Sequence, residues 1–218
     1  SNLVPAVSES LAADNQASIR NQAQKSIKLT FYFGFLAVLI LWLVPYQICE
    51  LLFDCREAGL ILRTLATTAV FLYLAQIFSS ILQGLGQPTK VVRNSIIALV
   101  IELLIIQGVI YAPSSIAITI ICSAIGLRFV ITAALNYLTI NRRIKLKLPL
   151  YHLFIKPILG GLLVIITLPL INQKLYLISN QQWFSLLTAI TISSCLYLMV
   201  LVLTKGITSK DYQQLIKS

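Results

Sequence analysis

The sequence is poor in charged residues. Asp, Glu, Lys and Arg make up 11% of its 218 residues, whereas a soluble domain carries roughly 25%. So few charges cannot cover a water-facing surface, which excludes an ordinary soluble globular protein. The hydrophobic residues, 58% of the total, must instead face lipid or a neighbouring helix. We therefore predict an all-α integral membrane protein.

Side chains that perform acid–base or metal chemistry are also scarce. The sequence has one histidine, His152, and seven acidic residues. No second histidine, carboxylate pair or Cys-x-x-Cys motif accompanies His152, so metal and acid–base sites lack their minimum parts. We predict no catalytic residue, no metal site and no cofactor, and we do not expect an enzyme.

Acidic residues are outnumbered by basic ones, and the formal net charge is +10. In a soluble protein this balance would raise the question of a nucleic-acid partner. Here the basic residues alternate in position with apolar runs, as the topology of a membrane protein requires. We expect membrane lipid as a partner and no nucleic acid.

Six apolar stretches reach or approach the roughly 20 residues that a helix needs to cross the hydrocarbon. They lie at residues 29–44, 60–82, 91–111, 116–140, 153–171 and 183–203. Residues 12–28 are polar with a weak apolar stripe, which suits an interfacial helix or a helical extension into the cytoplasm. The sequence thus predicts six transmembrane helices.

The segments that connect these stretches alternate in charge. Four of them are basic, namely residues 20–28, 90–93, 142–156 and 205–217, whereas residues 50–57 are acidic and the links near Pro113 and Lys174 carry little charge. Basic segments stay on the cytoplasmic side of a membrane. We predict a multi-pass protein of the cell (plasma or inner) membrane with both ends of this chain in the cytoplasm.

One connecting segment, ILQGLGQPTKVVRN at residues 81–94, contains two glycines and a proline. A phosphate-binding loop would need a preceding strand and Gly-x-x-x-x-Gly-Lys-Ser/Thr spacing, and this segment has neither. Glycine at a helix C-terminus followed by proline is typical of a cap and a sharp stop. We predict a cytoplasmic corner between two membrane helices.

The same segment resembles the ILQGxGxPxxxxxN turn of the polysaccharide-biosynthesis flippases related to stage V sporulation protein B. These proteins belong to the multidrug/oligosaccharidyl-lipid/polysaccharide (MOP) exporter superfamily. NLVPAVSES at residues 2–10 is similar to the end of transmembrane helix 8 in that family, and GITSKDYQQL at residues 206–215 is similar to its tail. The three segments occur in the family's order, so the resemblance covers essentially the whole chain.

The resemblance implies a MATE-like C-terminal lobe of six helices, helices 9 to 14 of a two-lobed transporter. We therefore expect the sequence to begin at a cut. Its segments would be the end of a preceding helix with an interfacial stretch (1–28), a four-helix core (29–140), a basic link (141–152), a peripheral hairpin (153–203) and a cytoplasmic tail (204–218).

The activity that the resemblance implies is translocation of a lipid-linked oligosaccharide, polysaccharide or peptidoglycan precursor by alternating access. The glycan headgroup would cross in a polar cavity between the lobes while the lipid tail stays in the bilayer. The implied partners are the lipid-linked glycan and an N-terminal lobe on the same or a separate chain.

Two charges fall near the middle of predicted spans, Glu102 in the third and Arg128 in the fourth. Charges at this depth are costly and normally face a bundle interior or a watery cavity. Because the two spans are sequential and antiparallel, the residues can form an ion pair; alternatively, one or both contact a substrate phosphate or a coupling ion. The resembling family often has a lysine near the Glu102 position, so the charge is reversed here.

Polar residues also recur at helical spacing in two spans. Gln76, Ser79, Ser80 and Gln83 share one face of the second, and Arg128, Thr132 and Asn136 share one face of the fourth. Such stripes either hold packed helices together or form the wall of a wetted cavity. The candidate substrate-binding residues are Arg128, Glu102, Gln76, Gln83, Asn136 and, near the external end of the second span, Arg63.

Two other functions stay open on the sequence alone. The chain can be a lobe of a MATE-like drug/cation antiporter, with Glu102 as the ion-coupled carboxylate. It can also be a non-transporting fragment or a partner subunit that requires a separate N-terminal lobe.

Overall fold

A computed structural model describes residues 3–13, 15–111, 113–146, 150–179 and 181–204. The described residues are helical and contain no strand. The helices are α1 (Leu3–Ala12), α2 (Gln16–Leu43), α3 (Pro45–Phe53), α4 (Ala58–Gly84), α5 (Pro88–Gln107), a 3-10 helix (Gly108–Tyr111), α6 (Ser114–Ile144), α7 (Leu150–Ser179) and α8 (Gln182–Leu203). Part of the predicted basic link (147–149) and the tail from residue 205, with its GITSKDYQQL segment, lie outside the described residues.

Six of these helices, α2 and α4 to α8, are long and apolar enough to cross a membrane. They correspond one to one with the six predicted spans, so the predicted all-α membrane class is confirmed. Within the described part of the chain, large apolar side chains are exposed along α5 and α7 in particular, as expected of helices that face lipid.

Helix α2 is longer than the apolar stretch that predicted it. It continues without a break from Gln16 to Leu43, whereas the apolar stretch begins at residue 29. Residues 16–28 therefore form a helical extension of the first span. Ile19, Ala23 and Ile27 of this extension are buried, so the weak apolar stripe is the face that packs.

Helix α7 likewise continues past its apolar stretch at both ends, from Leu150 to Ser179. Pro157 and Pro169, which lie near the two ends of that apolar stretch, are inside the helix. Proline removes one backbone hydrogen bond from a helix, which a membrane bundle tolerates where neighbouring groups compensate.

The chain divides into two compact units, residues 1–31 with 67–148 and residues 32–66 with 149–218. Helices α2 and α4 are each divided between the two units, with one end in the first unit and the other end in the second. The five segments predicted from the sequence divide the chain by consecutive residues and not by compactness, and they stay a prediction.

The first unit contains a continuous apolar core contributed by α1, α2, α4, α5 and α6. Its fully buried members include Val7, Ile27, Ile81, Leu82 and Ile140. The short helix α1 reaches this core because Gly84 allows it to approach α4: a Cβ at Gly84 would lie 2.7 Å from Val7 Cβ. The Ser8 hydroxyl, which donates to Val4 O at 2.8 Å, also lies 3.3 Å from Gly84 O.

In the second unit, α7 packs along α8, and Tyr197 of α8 is completely buried. The Tyr197 hydroxyl donates to the backbone oxygen of Tyr32 at 2.9 Å, so this buried polar group is satisfied. Gly160 makes room for the ring, since a Cβ there would lie 2.8 Å from Tyr197 Cδ2.

The corner between α4 and α5 is confirmed, and its cap is a Schellman motif. Gly86 has φ +70°, its N–H donates to Gln83 O at 2.9 Å, and the Gln87 N–H donates to Leu82 O at 2.9 Å. This is the bond pattern that ends helices with a left-handed glycine. Pro88 then begins α5 at a position where a missing N–H costs nothing.

The acidic connection between the first two spans contains helix α3 and two cysteines. Cys49 is buried and Cys55 is exposed, and both are free thiols. Burial raises the pKa of the Cys49 thiol, and the nearby Cys55 raises that pKa further. Cys49 is therefore expected to stay protonated, and unreactive, to higher pH than an ordinary thiol.

Candidate functional site

A cavity of about 710 Å³ lies in the first unit, between α4, α5 and α6. Its volume is within the usual range for small-molecule sites, about 300–1,000 Å³. The residues that line it come from all three helices: Leu72, Ala75, Gln76, Ser79, Ser80, Gln83, Val91, Val92, Ser95, Ile96, Leu99, Arg128, Phe129 and Thr132.

The polar stripe of α4 forms one wall of this cavity. Gln76, Ser79, Ser80 and Gln83 all line it, because residues at i, i+3, i+4 and i+7 share one helix face. Ser79 also accepts a hydrogen bond from Asn136 of α6. All four residues of the stripe therefore line the cavity, and Ser79 in addition joins α4 to α6.

Arg128 of α6 is the only charged residue among the described residues that line the cavity. Its side chain is 34% exposed, and its Nη1 lies 3.3 Å from Glu102 Oε2. The guanidinium carbon also lies 4.8 Å from the centroid of the Phe129 ring, a cation–π distance. Arg128 thus has two neighbours that hold it in place and still reaches the cavity.

Glu102 does not line the cavity, and its side chain is only 7% exposed. The predicted ion pair with Arg128 is present. Within the described structure, however, Glu102 Oε2 is buried and accepts no hydrogen bond. The Arg128 contact therefore has ion-pair distance without hydrogen-bond alignment.

Asn136 takes part in a buried polar network outside the cavity. It is completely buried; its amide nitrogen donates to Ser79 Oγ at 3.0 Å, and its amide oxygen accepts from Asn94 Nδ2 at 2.9 Å. Asn94 Nδ2 also lies 3.3 Å from the Thr139 hydroxyl.

The residues of the predicted α6 stripe therefore have two different positions. Arg128 and Thr132 line the cavity, whereas Asn136 joins α4, α5 and α6.

Sequence reasoning did not find the role of Asn94. Asn94 is buried and is the last residue of the corner segment that carries the family resemblance. The signal was a polar residue on the apolar face of α5, at helical spacing from the buried Val91 and Ala98.

Arg63 belongs to the second unit. It is exposed, and its guanidinium carbon lies 4.6 Å from the centroid of the Trp42 ring. This cation–π contact holds the side chain in place.

A smaller cavity, of about 310 Å³, lies in the second unit. Sequence reasoning missed it because its lining comes from α2, α3, α7 and α8, which are not all neighbours in sequence. Its polar lining residues include Gln47, Asn172, Gln173 and Gln182.

Residues 3–107 match the MatE family. The matched region extends from α1 through α5, so it includes Gln76, Gln83 and Glu102 and ends before Arg128. Neither a comparison with curated proteins nor one with solved structures gives a match. The similarity to the MatE family and the six spans are together consistent with an all-α membrane transporter lobe.

Proposed function

We propose that this chain, which contains a MatE region at residues 3–107, is the C-terminal lobe of a flippase for lipid-linked oligosaccharide, polysaccharide or peptidoglycan precursors. It works by alternating access in the cell membrane, together with an N-terminal lobe on the same or a separate chain. Both ends of the chain are cytoplasmic in this proposal.

The observation that supports the proposal is the mixed chemistry of the α4–α5–α6 cavity. Arg128 supplies a guanidinium, and Gln76, Ser80 and Gln83 supply amides and a hydroxyl. The α5 side supplies apolar residues that are exposed, among them Val92. A lipid-linked glycan has the same parts: a phosphate, sugar hydroxyls and a lipid tail.

Arg128 is the proposed phosphate contact, because a guanidinium binds phosphate oxygens through two parallel hydrogen bonds. Glu102 is the proposed resting partner that neutralises Arg128 while no substrate is bound, since an unpaired charge at membrane depth is costly. Arg63 is a proposed second phosphate contact near the external end of α4.

A MATE-like drug/cation antiporter is a second candidate, and one observation favours it. Glu102 is a buried carboxylate at membrane depth whose Oε2 accepts no hydrogen bond within the described structure. Carboxylates inside membrane-spanning segments mark ion pathways in transporters. In this alternative Glu102, and not Arg128, is the residue on which transport depends.

The test is flipping of a fluorescent lipid-linked oligosaccharide in proteoliposomes that contain this lobe together with an N-terminal lobe. Arg128→Ala is expected to slow flipping at least tenfold per molecule inserted. The matched control is Arg142→Ala, which removes an exposed arginine from the last turn of the same helix and should change flipping less than twofold.

Unchanged flipping in Arg128→Ala would remove Arg128 from the site. Drug efflux that responds to a proton or sodium gradient and fails in Glu102→Gln, without any glycan flipping, would select the antiporter instead.

A further inference from the structure

The cavity of the second unit has chemistry of its own. Its lining residues come from the end of α2, from α3 and from the facing ends of α7 and α8: Leu43, Val44, Gln47, Leu51, Pro169, Asn172, Gln173, Tyr176, Gln182, Ser185 and Leu186. It lies on the side of the membrane predicted to be external, because α3 and the α7–α8 link belong to the non-basic connections.

The lining is polar without being charged. Among the described residues that form it are four side-chain amides, one serine and one tyrosine, and no Lys, Arg, Asp or Glu. Val44 and Leu186 are buried and provide an apolar base. A cavity of this composition has no charged side chain in its described lining to neutralise the charge of an ionic ligand. A purely apolar ligand, in turn, would leave the amides without hydrogen-bond partners.

Most of these amides have hydrogen-bonding capacity to spare. Within the described part of the chain, the side chains of Gln47, Gln173 and Gln182 make no hydrogen bond to another protein group. Each offers two donors and an acceptor with two lone pairs. Three unengaged amides around one cavity can therefore satisfy a ligand that has several adjacent hydroxyl groups.

Asn172 is the one amide of this described lining that the protein fixes. Its oxygen lies 3.1 Å from the hydroxyl of Ser185, whose one proton is shared between this oxygen and Gln182 O at 3.0 Å; Ser185 is 1% exposed. Because the oxygen is engaged, the NH₂ group of Asn172 is the part left to donate. Tyr176, which is 43% exposed, adds an aromatic ring against which the C–H face of a sugar can pack.

We propose that this cavity is a binding site for a neutral saccharide. Its volume of about 310 Å³ is at the lower end of the range for small-molecule sites, which fits a short saccharide and not a long glycan. The ligand can be a free sugar or the neutral sugar of a membrane-bound glycan, since both present the same hydroxyl groups.

The two tryptophans of the chain provide a reporter for this proposal. Trp42 adjoins the lining residue Leu43, and Trp183 adjoins Gln182. Titration of the full chain in nanodiscs with maltose or N-acetylglucosamine should give a saturable change in tryptophan fluorescence with a millimolar Kd. No saturable change with either sugar would overturn the proposal.

The variant that tests the lining is Gln47→Ala combined with Gln173→Ala, which removes two amides from two helices. It should weaken binding roughly tenfold or more, as the loss of several hydrogen bonds predicts. The matched control is Gln16→Ala with Gln107→Ala, two exposed glutamines that line neither cavity, and its affinity should be unchanged. Equal affinities in the two variants would place the ligand elsewhere and overturn the proposal.

Two further titrations define the ligand class. Glucuronate and inorganic phosphate should produce at least tenfold weaker responses than maltose, and equal responses would overturn the neutral-ligand assignment. A neutral glycolipid incorporated in the nanodisc separates the two sources: competition with maltose identifies a membrane-bound glycan as a ligand, whereas no competition restricts the site to free sugar.

The proposal does not depend on the proposed flippase activity. Arg128→Ala should leave the saccharide response unchanged while it slows flipping. Loss of the saccharide response in Arg128→Ala would mean that the fluorescence reports on the wrong cavity.

Discussion

The Arg128 guanidinium lies 3.3 Å from the Glu102 carboxylate, and the two side chains differ sharply in exposure, 34% against 7%. Arg128 therefore faces both the cavity and its partner, whereas Glu102 contacts little besides the protein. An ion pair of this kind can release its cation to a ligand while its anion stays buried. Removing either member leaves the other uncompensated.

The first prediction concerns the stability of this pair. Arg128→Ala should lower the free energy of unfolding by up to about 3–5 kcal/mol, because it leaves the buried Glu102 carboxylate without a partner. The loss is smaller to the extent that water then reaches this carboxylate. Arg128→Met combined with Glu102→Leu should restore most of that loss, since it removes both charges. Thermal unfolding in detergent measures both effects. If the double variant were as unstable as the sum of the single ones, the pairing would carry no energetic weight.

The second prediction concerns the Asn94–Asn136 hydrogen bond of 2.9 Å. Asn94→Ala and Asn136→Ala should each destabilise the chain. A double-mutant cycle should give a coupling energy of about 0.6 kcal/mol and at most about 1.7 kcal/mol, the average and the maximum measured for polar pairs between membrane helices. Asn141→Ala removes an exposed asparagine from α6 and serves as the control, with little expected effect. A coupling energy near zero would mean that the network is incidental.

The third prediction concerns the glycines of the α4–α5 corner. Gly84→Ala should displace α1, because the new Cβ would lie 2.7 Å from Val7 Cβ and 3.1 Å from Val4 O. Hydrogen exchange of the α1 amides should then accelerate. Gly86→Ala should cost about 1–2 kcal/mol through its positive φ alone, and leave α1 protected.

Gly108→Ala is the matched control for both glycines. Gly108 has an ordinary helical φ of −64°, and a Cβ there would meet nothing within 4 Å. It should be neutral or slightly stabilising. Fast exchange in α1 after Gly108→Ala would show that the α1 response is not specific to Gly84.

The fourth prediction uses the cysteines of the acidic connection. In single-cysteine variants at pH 7, Cys55 should react with a maleimide at least tenfold faster than Cys49, which is buried. The thiolate is the reactive form, and the Cys49 pKa is raised. The reaction of Cys49 should therefore need a higher pH than that of an ordinary thiol. Equal rates at all pH values would mean that Cys49 is accessible.

The features that sequence reasoning predicted are those that depend on local pattern or on sequential helices. Apolar length predicted the six spans, cap residues predicted the α4–α5 corner, and the antiparallel order of α5 and α6 predicted the Glu102–Arg128 pair. Each of these needs only one helix or two consecutive ones.

The features that it missed depend on helices that are distant in sequence. The Asn94–Asn136–Ser79 network requires the rotation of three helices about their axes, and hydrophobicity leaves that rotation poorly determined when most residues are apolar. The second cavity needs α3 to face α7 and α8, which no local pattern indicates. For residues 16–28 the sequence left two alternatives, an interfacial helix or a helical extension, and the structure shows the extension, with α2 beginning at Gln16.

The central claim is a transporter lobe of six membrane helices whose basic connections are cytoplasmic. The most direct measurement is labelling with a membrane-impermeant maleimide in intact cells. The two positions, each as the single cysteine, are Arg143→Cys, at an exposed site in the last turn of α6, and native Cys55. We expect Cys55 to be labelled from outside and Arg143→Cys to be labelled only after permeabilisation. Labelling of Arg143→Cys in intact cells would contradict the topology and, with it, the proposed flippase.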